Sequence, residues 1–131
     1  MVFPTKTKGP LIGTPGQGTH SWTEKPNNWQ SDNAVDIKVP IGTPVLAVQA
    51  GVIGSRIGKL SSTNPHMQGL RVYVENGRNQ FYYAHLSKLA VHKGEHVAKG
   101  QLIGYSGKAA GVAHLHFAQM KGDPRQTVRR H

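Results

Sequence analysis

The segment Ala113-His114-Leu115-His116-Phe117 carries two imidazoles one residue apart in a run of strand-forming character. Alternate side chains of an extended strand share a face, so His114 and His116 project together while Leu115 points the other way. Such a pair offers a cleft two nitrogen ligands, or one ligand and one acid/base. Groups of the same chemical kind stand at the ends of other strand-like runs. They are Asp36 between Val35 and Ile37, His85 after Tyr82-Tyr83-Ala84, and His20 in Gly18-Thr19-His20-Ser21. A carboxylate in apolar company is costly unless it is paired, hydrogen-bonded or bound to a cation. One histidine alone is most often a surface residue or a satisfied core residue. Four histidines and an aspartate at strand ends weigh against that reading.

Zinc accepts histidine and carboxylate ligands, and catalytic zinc keeps three protein ligands and a water. Two histidines and one aspartate leave the ion enough positive charge to acidify that water and polarise a carbonyl. The remaining histidines are then free for proton transfer and oxyanion stabilisation.

The elements that must position these groups read as short strands: Ala34–Val39, Val45–Val48, Gly51–Ile57, Leu70–Glu75, Gln80–His85, Gln101–Tyr105 and Ala113–Gln119. Turn residues separate them, and Glu75-Asn76-Gly77-Arg78 between two apolar runs predicts a hairpin. Leu86–Val91 has room for one short turn of helix, and no segment holds an amphipathic helical period over three turns. The expected fold is therefore all-β, mainly antiparallel, with little helix. Residues 1–19, rich in Pro and Gly, read as an irregular N-terminal arm. Residues 20–33 read as a polar loop that opens the main domain, 20–120. Residues 121–131 read as a basic C-terminal tail that frays.

A chain of 131 residues holds one domain with a true core, and its 37% hydrophobic content is that of a globular protein. It has no cysteine, which excludes disulfides and thiolate zinc fingers. Sixteen Lys+Arg against 6 Asp+Glu give a net charge of +10. That balance fits a solvated basic surface or an anionic polymeric partner. No nucleic-acid-binding motif accompanies the charge, so nucleic acid is not the expected partner. No apolar run approaches the ~20 residues of a membrane span, and no apolar segment of signal-peptide length follows Met1.

Taken in order, several motifs resemble the lysostaphin/LytM-type zinc metallopeptidases, the M23 endopeptidases. They are Asp36–Ala47, Gly51-Val52-Ile53, Tyr83-Ala84-His85-Leu86-Ser87, Val97–Gly107 and His114-Leu115-His116-Phe117. The resemblance implies a compact antiparallel β fold with an open groove, a bound Zn²⁺, and cleavage of peptide cross-links in bacterial peptidoglycan. It also implies that Asp36 and His116 are metal ligands, and that His85 and His114 are active-site histidines off the metal.

One position departs from the family pattern. The first histidine ligand of the family stands four residues before the aspartate, and here that residue is Asp32. Two arrangements compete. Asp32 replaces the histidine, which would weaken the ion as a Lewis acid, or His20 supplies the ligand across an inserted loop. Lengthening a loop from about 3 to about 15 residues adds only roughly 1.4 kcal/mol of closure entropy. Metal binding at structural zinc sites is worth on the order of 10 kcal/mol. The expected metal set is therefore His20, Asp36 and His116, with Asp32 as the alternative to His20.

The basic charge and the lack of a visible leader lead to the expectation of a phage lysin or virion-associated wall-degrading protein. It would act outside the cell on peptidoglycan, with virion or tail proteins as further partners. The competing reading is a catalytically degenerate, metal-free module with a structural or wall-binding role.

Overall fold

Short runs that alternate apolar with polar residues, punctuated by Gly and Pro, form antiparallel strands that bury one face. In the computed structural model, residues 2–14, 17–18, 29–60, 68–77 and 79–129 are described, with residues 17–18, 31–32 and 129 as backbone alone. In chain order the elements are β1 (Leu11–Thr14), β2 (Gln17–Gly18), α1 (Trp29–Asp32), β3 (Ala34–Ile37), β4 (Pro44–Leu46), β5 (Gly51–Ile53) and β6 (Gly58–Lys59). There follow β7 (Leu70–Asn76), β8 (Asn79–Leu89), β9 (His96–Val97), β10 (Leu102–Ala109), β11 (Val112–Gln119) and α2 (Pro124–Arg129). One mainly antiparallel sheet results, as the sequence predicts, with the order β2-β1-β3-β11-β10-β8-β7-β5-β9 and with β4 on β10 and β6 on β7.

The period-2 pattern decides the two faces. Val35, Ile37, Val72, Val74, Phe81, Tyr83, Leu115 and Phe117 turn into the main core. Their alternates Ala34, Tyr73, Tyr82, Ala84 and Ala118 form a second, smaller cluster on the opposite face, joined by Leu60 and Trp29. Asp36 lies between Val35 and Ile37 in β3 and is paired in register with His116 of β11. It therefore emerges on the second face, where the site lies.

Four expectations change. The Pro/Gly-rich N-terminal arm is not wholly irregular, because β1 pairs with β3 through Leu11↔Ile37 and Gly13↔Asp36. Leu86–Val91 makes no helical turn; β8 continues to Leu89, whose ladder partner is Gly104. The C-terminal tail is tied down as far as α2. Thr127 and Val128 are buried, and the Thr127 hydroxyl donates to Gln119 Oε1 at 2.6 Å. Asp123 Oδ1 accepts from the Arg125 amide at 2.9 Å and caps the start of that helix. A one-turn helix, α1, also stands within the polar segment read as a loop.

The feature that most affects the site is a junction of three strands. The first part of β8 pairs with β11, ending at Ala84↔His116. Its second part pairs with β10, beginning at Leu86↔Ser106. His85 stands at the changeover with φ 63°, left-handed backbone that a non-glycine residue adopts rarely. On the other side of β8 the register with β7 moves from Val72↔Tyr83 to Leu70↔Leu86. Arg71 thus faces Ala84 and His85 together, which is a β-bulge, a device that re-aims a side chain.

Two glycines admit this backbone. A Cβ on Gly107 would lie 2.4 Å from the His85 carbonyl oxygen, and one on Gly69 3.0 Å from His85 Cα. The Gly107 neighbours are backbone atoms and cannot swing aside. Gly107→Ala is therefore expected to destabilise the protein by about 1–3 kcal/mol, the range of an overpacked site, as read by urea unfolding. Unchanged stability would show that β8 and β10 can separate at no cost.

Candidate active site

Four of the predicted site residues meet at the junction. His116 Nδ1 lies 3.0 Å from Asp36 Oδ1, and His114 Nε2 lies 3.6 Å from Asp36 Oδ2. The His85 ring stands edge-on to both partners, its centroid 5.2 Å from that of His114 and 5.4 Å from that of His116. All four residues are buried. Tyr82 presents an edge contact to His116 at 5.8 Å, and Trp29 stands edge-on to Tyr73 and Tyr82.

Backbone carbonyls fix the protons on these rings. A carbonyl oxygen only accepts, so each ring nitrogen facing one carries hydrogen. His85 Nδ1–H donates to Gln68 O at 2.7 Å, and His114 Nδ1–H donates to Val112 O at 2.8 Å. In their neutral forms both rings therefore carry the lone pair on Nε2. His116 is held the other way round: its Nε2–H donates to the Gln30 carbonyl of α1, so Nδ1 is the atom turned to Asp36.

The same surroundings set the charges. Burial pushes the His85 pKa down to about 3, with the His116 charge adding to the fall and the Gln68 carbonyl opposing it. His85 is neutral across the physiological range. For His116, burial works against the imidazolium, but the hydrogen bond and charge of Asp36 outweigh it, and its pKa is raised.

The side chains of the remaining predicted ligands are not among those described. His20 lies outside the described residues, and Asp32 closes α1 with its side chain likewise undescribed. Among the described residues, no three His, Cys, Asp or Glu side chains form a complete metal-holding group. His92 and His96 are exposed around the turn at Gly94, away from the site. Sequence reasoning missed Gln68 and Gln30 because each acts on a histidine through its carbonyl, which every residue type possesses. Gln68 also uses its side chain: Oε1 accepts from the Ala110 amide at 3.0 Å. Ala110 has φ 51° in the turn that leads into β11. Gln68 thereby braces the His85 segment against the hairpin that carries His114.

The profile of peptidase family M23 matches residues 30–127. Over 88 residues the chain is 38% identical to the peptidoglycan DD-endopeptidase ShyA of Vibrio cholerae, a match covering 65% of this chain and 19% of that protein. The chain thus spans less than a fifth of the length of the curated relatives it matches first. Among solved structures, the catalytic domain of lysostaphin from Staphylococcus simulans superposes with a TM-score of 0.65 at 27% identity, covering 94% of this chain and 92% of that one. A zinc-containing peptidase from Vibrio cholerae gives a TM-score of 0.68 at 25% identity, covering 92% of this chain and 39% of that one.

Two outcomes follow from the hydrogen bonds and charges. Gln68→Met deletes the acceptor for Ala110 N–H at similar side-chain length, whereas Gln68→Glu retains one. Imidazole ¹⁵N spectra are expected to show His85 as the Nδ1–H tautomer in the wild type and the Glu variant, and as a mixture in the Met variant. A pure Nδ1–H signal in all three would mean that the Gln68 side chain does not brace this carbonyl. The second outcome concerns pH. His85 binds its proton near the ordinary 6.5 when unfolded and near 3 when folded, so stability must fall as pH drops through that window. The slope from one such group is at most ~1.4 kcal/mol per pH unit. His116 acts in the opposite sense and above 6.5, where its stabilising proton is lost. Urea unfolding from pH 6.5 to 4 is expected to show a shallower loss in His85→Gln than in the wild type; equal slopes would refute the assignment.

Proposed function

The chain belongs to peptidase family M23, and from that premise we propose that it is a zinc-dependent endopeptidase. Its substrates in this reading are the peptide cross-links or stem peptides of bacterial peptidoglycan. The observation that carries the proposal is the contact between His116 and Asp36. With Nε2–H committed to the Gln30 carbonyl, a neutral His116 turns a lone pair toward a carboxylate oxygen 3.0 Å away. Two acceptors at that distance repel unless a cation stands between them, and the cation is a proton or a metal ion. One imidazole nitrogen and one carboxylate form a donor set that zinc accepts. The Gln30 carbonyl supplies the hydrogen bond that usually orients a ligating histidine.

Asp36 and His116 would hold the ion, with His20 as the third ligand and Asp32 as its alternative. Zinc supplies Lewis acidity toward the scissile carbonyl and the attacking water. The histidines outside that set divide the remaining work. His85, neutral and with Nε2 as acceptor, orients the attacking water; its low proton affinity makes it a poor base at neutral pH. His114 points Nε2 at Asp36, and a proton taken up there is held 3.6 Å from a carboxylate oxygen. His114 is therefore the residue that moves the proton and then donates to the tetrahedral oxygen. The buried face excludes bulk water, which strengthens each of these interactions.

The substrate class rests on relatives such as ShyA, named for peptidoglycan, and on the charge of +10, which suits approach to an anionic wall. In this reading the protein acts outside the cytoplasm as a secreted or virion-associated enzyme, in the latter case with virion or tail proteins as partners. Its attraction to the wall weakens with salt.

Metal analysis of the purified chain, paired with wall lysis, tests the proposal. One zinc per chain is expected in the wild type. His116→Ala and His20→Ala are each expected to lose the metal and at least about 100-fold of the lytic rate, exceeding the loss typical of an outer-shell group. Asp32→Ala is expected to retain both. Loss confined to Asp32→Ala would move the third ligand there, and a wild type free of metal and of lysis would favour the non-catalytic module.

A further inference from the structure

Among the described residues, two arginines on the site face, Arg71 and Arg56, make no ion pair with an acidic side chain. In β7, Val72 and Val74 turn into the main core while Tyr73 joins the opposite cluster, so Arg71 emerges on the same face as Tyr73. Its bulge partners are Ala84 and His85, and Ala84 is in turn the register partner of His116. His116, Ala84 and Arg71 therefore form a row across three neighbouring strands. Two strand spacings separate the backbone of His116 from that of Arg71, about 10 Å. The residue between them in the row, Ala84, is small and buried, so no long side chain separates His116 from Arg71.

The chemistry of this row is unbalanced. Arg71 Nε is buried and has no hydrogen-bond partner among the described residues. A buried donor left unpaired is destabilising. Arg56 lies over the Tyr73 ring, its guanidinium carbon 4.5 Å from the centroid. Both arginine charges act on Tyr82, which packs on Tyr73 at 4.7 Å between centroids. Two guanidinium groups thus flank one aromatic pair, and the ion pairs among the described residues include neither. Two cations on one face repel each other, and an anion bound there relieves the repulsion and gives the stranded donor a partner. Arginine presents a planar fork that matches a carboxylate in bidentate fashion.

We propose that Arg71, with Arg56 beside it, forms a subsite for a carboxylate of the peptide substrate, close to the bond presented to His85 and His114. The inference rests on the peptidase reading and narrows it. A bridge of glycine residues offers no side-chain carboxylate beside the scissile bond, whereas a stem peptide with acidic residues does. The subsite therefore directs the enzyme to acidic stem peptides. Arg71 would make the fork, while Arg56, exposed and stacked on Tyr73, would add charge and close the outer side.

The test uses two synthetic peptides that differ only in a carboxylate or the matching carboxamide beside the scissile bond. Binding is measured by calorimetry to the full chain carrying His114→Gln, so that the peptide stays intact. With Arg71 present, the carboxylate peptide is expected to bind at least about tenfold more tightly, the lower range for a charge-assisted pair. Adding Arg71→Gln is expected to bring both peptides to the affinity of the carboxamide, and Arg71→Lys to restore part of the preference. Equal binding of the two peptides with Arg71 present would overturn the subsite, as would a parallel loss for both in Arg71→Gln. Turnover by the enzyme with His114 intact is scored separately. A retained binding preference without hydrolysis would refute the peptidase reading and leave the subsite standing.

Discussion

The site depends on one backbone constraint, the change of partner along β8. A single strand cannot pair with β11 and then with β10 on the same side without a local turn of its backbone. His85 absorbs that turn in a left-handed conformation. The cost of such a conformation for a residue with a Cβ is about 1–2 kcal/mol. It is offset by ladders on both sides of the junction, by the carbonyl bond from Gln68, and by the absence of side chains at Gly69 and Gly107. In return, His85 leaves the alternation of its strand and meets His114 and His116, which arrive on β11 by ordinary period-2 geometry. Two kinds of strand geometry, one regular and one bulged, thus converge three imidazoles on one carboxylate.

Proton placement follows from the same architecture. The three histidines are each held by a main-chain carbonyl: Gln68 for His85, Val112 for His114 and Gln30 for His116. The Val112 and Gln30 carbonyls are fixed by a strand and a helical turn, and that of Gln68 is steadied by its side-chain bond to the Ala110 amide, so each ring is held by a positioned acceptor. The consequence is an asymmetric set. Nε2 is the lone-pair atom of neutral His85 and His114, that of His114 lying 3.6 Å from Asp36, whereas His116 turns Nδ1 to Asp36. That asymmetry separates a ligand position from two positions suited to substrate and water.

Much of this was legible in the sequence because it rests on local rules. Alternation alone put His114 and His116 on one face, and apolar neighbours alone marked Asp36 as a carboxylate needing a partner. The Asn76-Gly77 turn placed β7 beside β8, and in the fold Asn76 is paired with Asn79. What escaped notice depends on distant segments. The run Leu86–Leu89 is compatible with a helical turn, and only the ladder to β10 makes it strand. The basic tail looked unanchored because its anchors are Gln119 and the core around Val128, which composition does not reveal. Gln68 and Gln30 left no trace because their carbonyls carry the interaction. Gly107 was visible as part of a motif, but its reason, the passage of the His85 carbonyl at a distance no Cβ tolerates, belongs to tertiary structure.

The electrostatics of the face bear on the open ligand position. The chain has 6 acidic residues against 16 basic ones, and at the centre of the site stands Asp36. A cation entering there meets one carboxylate and, on the same face, the charges of Arg71 and Arg56. With a histidine as third ligand, zinc and Asp36 together keep one net positive charge, which adds to the field of the arginines and draws an acidic peptide toward the reacting carbonyl. With an aspartate as third ligand that charge is cancelled, and the ion is both a weaker Lewis acid and a weaker lure. Cation affinity and substrate affinity therefore pull the third ligand in opposite directions. In the proposed reading, a neutral imidazole would give up some hold on the metal and keep the charge on which catalysis and acidic substrate binding would both draw, which is the physical reason to place His20 ahead of Asp32.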